Sequence, residues 1–419
     1  MPVSAFGDRQ TKESEIIAVP LRGVRSEYPS GDGGAERAFG APLSEILDVD
    51  RWHDGIDLAS LYSKLRESVA QSVTQNERTR VPLRRLLINS LWENVERQGK
   101  PQIAGLYRIE PRDIEQVHHS LLFNGATECC DGTVANHDSL LLTVAQIGVS
   151  LVSYQGNAGK WVQQLYRREL RETFADPMEE AVALLKQRAK RHDSADAEET
   201  TDTLSRLLRR GLMEYAERAI LLRRATAPWR MGHGNPIPLS LLMVDAPALL
   251  DASIAVLQSL LGTHKKFVYV TSSPSDRLAR TIGDALNPLE YAIIGDLGDQ
   301  FSDERIAVLK RGKSSKQNQL RDFLSDLRHE IVYGVFRVAP HAPAQLFYAH
   351  REQVHIAAAL AMADSVLQPH RGFPMLIDLA DLVCRNSFDG GSFRGSVHDA
   401  YCAAGEPLRY LGERETRDH

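Results

Sequence analysis

Apolar residues recur every three or four positions through the first quarter of the chain: Leu58, Leu61, Leu65 and Val69, then Leu83, Leu86, Leu87 and Leu91. That spacing predicts two or three helices between Leu43 and Glu96. Beyond Gln102 the pattern shortens. Ile103–Ile109 reads as a short strand. Ala126 to Asp131 reads as another, Gly132–Thr133 as the turn after it, and Leu140–Tyr154, rich in Val, Leu and Ile, as its partner. Gly156–Gly159 breaks the run, and Lys160–Thr173 reads as helix.

The polar, acidic stretch Lys190–Thr203 reads as a loop or linker. Leu204–Ala225 follows as an amphipathic helix, and Ala227–Leu242, punctuated by Gly and Pro, as a loop. A helix over Ala246–Leu261 leads into Lys266–Thr271, whose β-branched and aromatic residues suit a buried strand. Further strands are predicted at Tyr291–Ile294, Val332–Val338 and Ala344–Phe347, then helices at Pro374–Arg385 and Gly395–Ala404. Strands alternating with helices give an α/β fold, a mixed β-sheet core flanked by helices, with a helical N-terminal extension. The expected organisation is a poorly ordered arm over 1–42, a helical region over 43–101, and one larger domain over 102–419.

Composition narrows the class only a little. With 43% hydrophobic and 25% charged residues among 419, the chain matches a folded globular protein rather than a disordered or membrane-embedded one. The net charge of −5 excludes nucleic-acid binding by bulk charge, so any such site has to be a local basic surface. Candidate runs are Arg167–Arg168 and Lys310, Arg311, Lys313 and Lys316, with Trp161 and Tyr166 as possible stacking partners for bases. Ordinary solvated faces and a core Trp explain the same residues. Four cysteines without a CxxC pair, no apolar secretory segment and no span of membrane length point to a reducing, cytoplasmic setting with no membrane.

Four places carry residues suited to chemistry. Asp131, at a predicted strand end before Gly132, offers a hard oxygen ligand for Mg²⁺ or Mn²⁺ beside a residue that permits close approach of a phosphate. Asp-Gly is equally a common hairpin turn. On the amphipathic helix, Leu204, Leu207, Leu208, Leu212, Tyr215, Ala219 and Leu222 define the apolar stripe. That phase puts Glu214 at its edge and Glu217 on the solvated far face, so of the two Glu214 is the one placed to look across a sheet rim into a site. It equally fits an ion pair with Arg210 or Arg218. His233 lies between two glycines in a predicted loop, open to act as ligand or as acid and base, or simply part of a turn. Asp378 and Asp381 sit on a proline-started helix, the first suited to the helix N-terminus.

The order of these parts resembles the NurA family of prokaryotic nucleases. "DGT" before a long apolar strand resembles its Asp-Gly-Ser/Thr motif, and "MEYAERA" its helix bearing a second acid. "MGHGNPIPLSLL" resembles its later Asp-Gly-x-Leu-x-Pro segment, and "FPMLIDLAD" the start of its last helix. The likeness runs from about Gln102 to the C-terminus. It departs twice: His233 stands where the family has Asp, and Asp381 where it has His. Either a ligand set with two types exchanged or a degenerate site follows from that.

The resemblance implies an RNase H-like fold, a metal-dependent DNA nuclease, and Mn²⁺ or Mg²⁺ held by Asp131, Glu214, His233 and Asp381. It also implies a homodimer working with a HerA-type hexameric ATPase in DNA end processing or anti-phage defence. The chain lacks a P-loop motif of its own, which suits an external motor. A second reading is a non-catalytic dimeric adaptor of such an ATPase complex. A third is an unrelated α/β enzyme using Ser272–Ser273–Pro274 as a phosphate turn.

Overall fold

A computed structural model describes residues 40–52, 58–97, 103–138, 142–168, 182, 197–238, 241, 247–272, 277–300 and 322–405. Two compact units divide the chain, Met1–Gln75 and Asn76–His419. In the first unit the helix α1 (Leu58–Arg97) begins, and its Leu58, Tyr62, Leu65, Val69 and Val73 are exposed. Of the two or three helices that the periodicity predicted over 43–96, a short one forms at Leu43–Ile46, and the rest is this one helix of 40 residues running through Pro82.

The second unit is built on one nine-stranded sheet, ordered β1-β7-β8-β9-β6-β5-β2-β3-β4. The strands are β1 (Gly105–Arg108), β2 (Thr127–Asp138), β3 (Leu142–Ser153), β4 (Gly156–Arg168), β5 (Trp229–His233), β6 (Phe267–Thr271), β7 (Glu290–Asp296), β8 (Ile331–Arg337) and β9 (Gln345–His350). Only β2–β5 and β5–β6 pair in parallel. The half β4-β3-β2-β5-β6 therefore has the antiparallel-then-parallel order expected of an RNase H-like sheet, and the mixed α/β reading holds.

Neighbouring residues on the strands feed opposite cores, as the period of two requires. Cys129, Val268, Ile293 and Val332 pack with α2 (Pro111–Val117), α6 (Val354–Val366) and α7 (Met375–Ser387) on one face. Cys130, Tyr269, Ile294 and Tyr333 pack on the other. That second face carries α3 (Ala197–Arg223), α4 (Pro247–Leu257) and α5 (Arg277–Ala285). A last helix, α8 (Gly390–Ala403), touches β2. At the sheet's edge Arg84 of α1 binds Glu290 of β7 bidentately, at 2.6 and 2.8 Å. No helix among the described residues is long and apolar enough to cross a membrane.

Four local expectations are corrected. Gly132–Thr133 is not a turn: β2 runs straight through it, paired with β3 from Cys129 to Asp138. Lys160–Thr173 is not helical over its described part. Lys160–Arg168 is strand, because β3 next to it offers a continuous ladder from Ser150 to Leu142, and pairing overrides local propensity. Ala227–Leu242 hides the central strand β5, too short for its flanking Gly and Pro to reveal. The segment read as a linker, 190–203, turns helical at Ala197; its earlier residues lie outside the described ones.

Glycines set how closely the helices approach β2 and β3. A Cβ on Gly148 would stand 2.2 Å from Cδ2 and 2.7 Å from Cβ of Phe388, the residue that ends α7. Cys384 lies 3.5 Å from the Gly148 carbonyl, and Ser150 Oγ donates to the Ala380 carbonyl at 3.0 Å. These contacts seat α7 flat on β3. Gly148→Ala is expected to destabilise the protein by about 1–3 kcal/mol through overpacking, seen as a lowered urea midpoint. An unchanged midpoint would mean that Phe388 moves aside at no cost.

Candidate metal centre

β2 is longer than the strand beside it. Its parallel pairing with β5 covers only Thr127–Cys130, opposite Trp229–Gly232. From Asp131 onward that edge of β2 has left its neighbour, and side chains from both faces of the sheet can meet in the notch. A cavity of about 630 Å³ opens there, lined among others by Asp131, Gly132, Arg210, Glu214, Glu217, Arg218, His233 and Asp381. The four residues expected from sequence, Asp131, Glu214, His233 and Asp381, all line this one cavity.

Gly132 is needed at the notch for space. A Cβ there would fall 2.7 Å from Glu217 Oε1 and 2.9 Å from Met213 Cγ. Its backbone N–H donates to the carboxylates of Asp131 and Glu217. The Asp131 and Asp381 carboxyl groups also come within hydrogen-bonding reach of each other. Asp131 is only 8% exposed. Burial, the Glu217 charge and the Asp381 charge together push it up to about 8. Burial likewise drives Glu217 up to about 7, against the pull of Arg218, with Glu214 adding to the rise. Buried oxygens that repel one another and hold protons near neutral pH are a donor set for a hard divalent cation.

Glu217 corrects the sequence reading. Its side chain is 16% exposed and faces the cavity, whereas the apolar stripe placed it in solvent. The stripe misled because the most buried face of α3 is partly polar: Glu214 and Arg218 sit there beside Ala219 and Leu221. Arg218 makes this possible. Its guanidinium, over the Tyr269 ring, donates to the carbonyls of Pro236 at 3.0 Å, Glu214 at 2.8 Å and Asn235 at 2.7 Å, and to Glu217 at 3.3 Å. Glu214 is also buried and is held by Arg210 at 3.1 Å, the ion pair that its spacing allowed.

His233 ends β5, and Gly234 takes a positive φ of 80° to turn the chain away. The imidazole Nε2 lies 3.3 Å from Ser272 Oγ and packs edge-on against Phe373. Surrounding protein lowers its pKa, opposed by Asp381 and Asp378. Asp381, on the second turn of α7, is half-buried and pairs with Arg385. Asp378 instead binds Arg371 at 2.6 Å. The start of α7 is fixed by a residue that the sequence did not single out. Buried Asp364 accepts from the Leu376 N–H at 2.8 Å and from the Tyr154 hydroxyl. Burial pushes it up to about 7.

Arg167 and Arg168 lie on β4, paired with Thr143 and Leu142; nothing is described of their side chains. Lys310, Arg311, Lys313 and Lys316 lie outside the described residues, as do Ser273 and Pro274. Trp161 packs partly against the core, while Tyr166 is 66% exposed. A second acid and His group, Glu330, His350 and Glu352, gathers at the far end of the sheet. His350 Nδ1 accepts from the Glu352 N–H, leaving the ring proton on Nε2 towards Glu330, and Lys265 neutralises Glu352 at 2.8 Å. An internal ion network accounts for those contacts.

No protein-family profile and no curated protein matches the chain. Among solved structures it is similar to the NurA nuclease from Sulfolobus solfataricus, at 9% identity and a TM-score of 0.38, covering 66% of this chain and 84% of that one. It is also similar to NurA with manganese, at 10% identity and a TM-score of 0.34, covering 70% and 95%. Endonuclease V of Ciona intestinalis in complex with a 24mer DNA follows at 12% identity and a TM-score of 0.25, covering 62% and 85%. Likenesses this distant carry no weight for activity, so the functional reading rests on the cavity itself.

The raised carboxylate pKa values fix a sign. Asp131 titrates higher folded than unfolded, so the metal-free fold loses stability as pH rises from the unfolded value near 4 towards about 8. Asp131→Asn cannot acquire that charge. The gap in melting temperature between Asp131→Asn and the parent protein, measured in EDTA, is expected to widen in the variant's favour from pH 5 to pH 8. Saturating Mn²⁺ should close it. A gap independent of pH would show that Asp131 is not under this repulsion.

Proposed function

We propose that the protein is a metal-dependent DNA nuclease hydrolysing phosphodiester bonds at this cavity. One observation carries the reading: Asp131, Glu217 and Asp381, from three separate elements, line one cavity open to solvent, and Asp131 and Glu217 are so placed that they hold protons near neutral pH. Mn²⁺ or Mg²⁺ would be held by these three carboxylates, with His233 and Glu214 on the rim. A bound ion of this kind supplies an attacking water of lowered pKa and neutralises charge on the phosphate. Mn²⁺ suits a set that includes an imidazole better than Mg²⁺ does.

The chain's own residues prepare the site. Gly132 lets Glu217 reach β2 and orients two carboxylates with its N–H. Arg218 fixes Glu217 by binding it and the loop at Asn235–Pro236 together. Asp364 anchors the helix that carries Asp381. Partnership with a HerA-type ATPase, a homodimeric state and a role in DNA end processing or phage defence rest on the motif resemblance, and we include them in the proposal on that ground.

The experiment is cleavage of linear DNA by purified protein with Mn²⁺, Mg²⁺ or EDTA, alone and with the ATPase encoded beside it. Asp131→Asn and Glu217→Gln are each expected to slow metal-dependent cleavage by about a hundred-fold or more, with the fold intact. Cleavage by Glu217→Gln at the parent rate would remove Glu217 from the site. Failure of the parent protein to cut under every condition would leave the adaptor reading.

A further inference from the structure

Resting on the nuclease reading, the geometry points to Arg210 as the residue that receives a substrate phosphate, with Glu214 holding Arg210 rather than a metal ion. The cavity is lined by four acids and by three basic side chains, Arg210, Arg218 and His233. A polyanion entering this acidic cleft needs a cation on its path, and the three differ in whether they can serve.

Arg218 cannot. Its side chain is 4% exposed and is fully engaged by three carbonyls, Glu217 and the Tyr269 ring. His233 is already engaged, its Nε2 3.3 Å from Ser272 Oγ and its ring edge-on against Phe373. Arg210 differs from both. Its side chain is 70% exposed, and its contact with Glu214 runs through Nε at 3.1 Å. An arginine held at Nε keeps its terminal nitrogens in a planar fork suited to phosphate oxygens.

Glu214 fits the complementary part. It sits one helical turn from Arg210 at the i,i+4 spacing that favours such a pair. Its side chain is 10% exposed, so it offers Arg210 a fixed anchor rather than a swinging one. Gly132 brings Glu217, not Glu214, against β2: the nearest atom to a Cβ built there is Glu217 Oε1, at 2.7 Å. Glu217 therefore completes the metal-facing set with Asp131 and Asp381. Glu214 stands one turn back, aiming the arginine.

Two measurements test this with the full-length protein. The first is binding of a fluorescein-labelled single-stranded DNA 20-mer in EDTA, followed by anisotropy across a salt series, so that no cleavage intervenes. Arg210→Ala is expected to weaken binding about five- to ten-fold and to flatten the log Kd against log salt slope by about one unit. The second is Mn²⁺ titration by calorimetry without DNA. Glu214→Gln is expected to bind Mn²⁺ within about two-fold of the parent protein, whereas Glu217→Gln loses about ten-fold or more. An Arg210→Ala protein with the parent's affinity and salt slope would overturn the proposal. So would a ten-fold loss of Mn²⁺ affinity in Glu214→Gln. Absence of cleavage bears on the nuclease reading alone, because both measurements are made without turnover.

Discussion

The structure of the site depends on like charges being forced together. Asp131, Glu217 and Asp381 come from a strand and two helices on opposite faces of the sheet, and they line one cavity because β2 outruns β5. Left alone, three carboxylates so close, one of them buried, would push those elements apart. What opposes them is packing: α3 pressed on β2 where Gly132 has no Cβ, and α7 pressed on β3 where Gly148 has none. The fold stores this repulsion as protons held near neutral pH, and a divalent cation bound as we propose would relieve it.

Polar anchoring does the rest. Arg218 replaces the apolar residue that its place on α3 would ordinarily carry. By binding three carbonyls and Glu217 it turns a buried charge into a clamp between helix and loop. Asp364 does the same on the other face, tying α6, Tyr154 and the first turn of α7 to one carboxyl group. Removing either would leave its partners buried and unsatisfied, a larger loss than the hydrogen bonds alone suggest.

Much of this was legible in the sequence, and the failures have physical reasons. Asp131, His233 and Asp381, which line the cavity, stand out in the sequence because each sits near a punctuation mark: before Gly132, between two glycines, or two turns after Pro374. Strands β1, β3, β6, β7, β8 and β9 and helix α3 were visible in their residue pattern. Strand β5 was not, since five residues ending in Gly-His show no alternation that survives the flanking turns, and its buried state comes from neighbours on both sides. Strand β4 was mistaken for a helix because its residues acquire strand geometry only from pairing with β3. Glu217 was assigned to solvent because helical phase was computed from apolar residues, while the site's own charges occupy the buried face. That error belongs to functional helices in general: where polar residues face inward, the hydrophobic pattern points beside the site.

The central claim is that the notch beside β2 is a cation site built by Asp131, Glu217 and Asp381. Anomalous scattering from crystals soaked in Mn²⁺ tests it most directly. The account predicts a manganese peak within ligand distance of those three carboxylates. A fully soaked crystal with no peak there, or with its only peak among Glu330, His350 and Glu352, would contradict it.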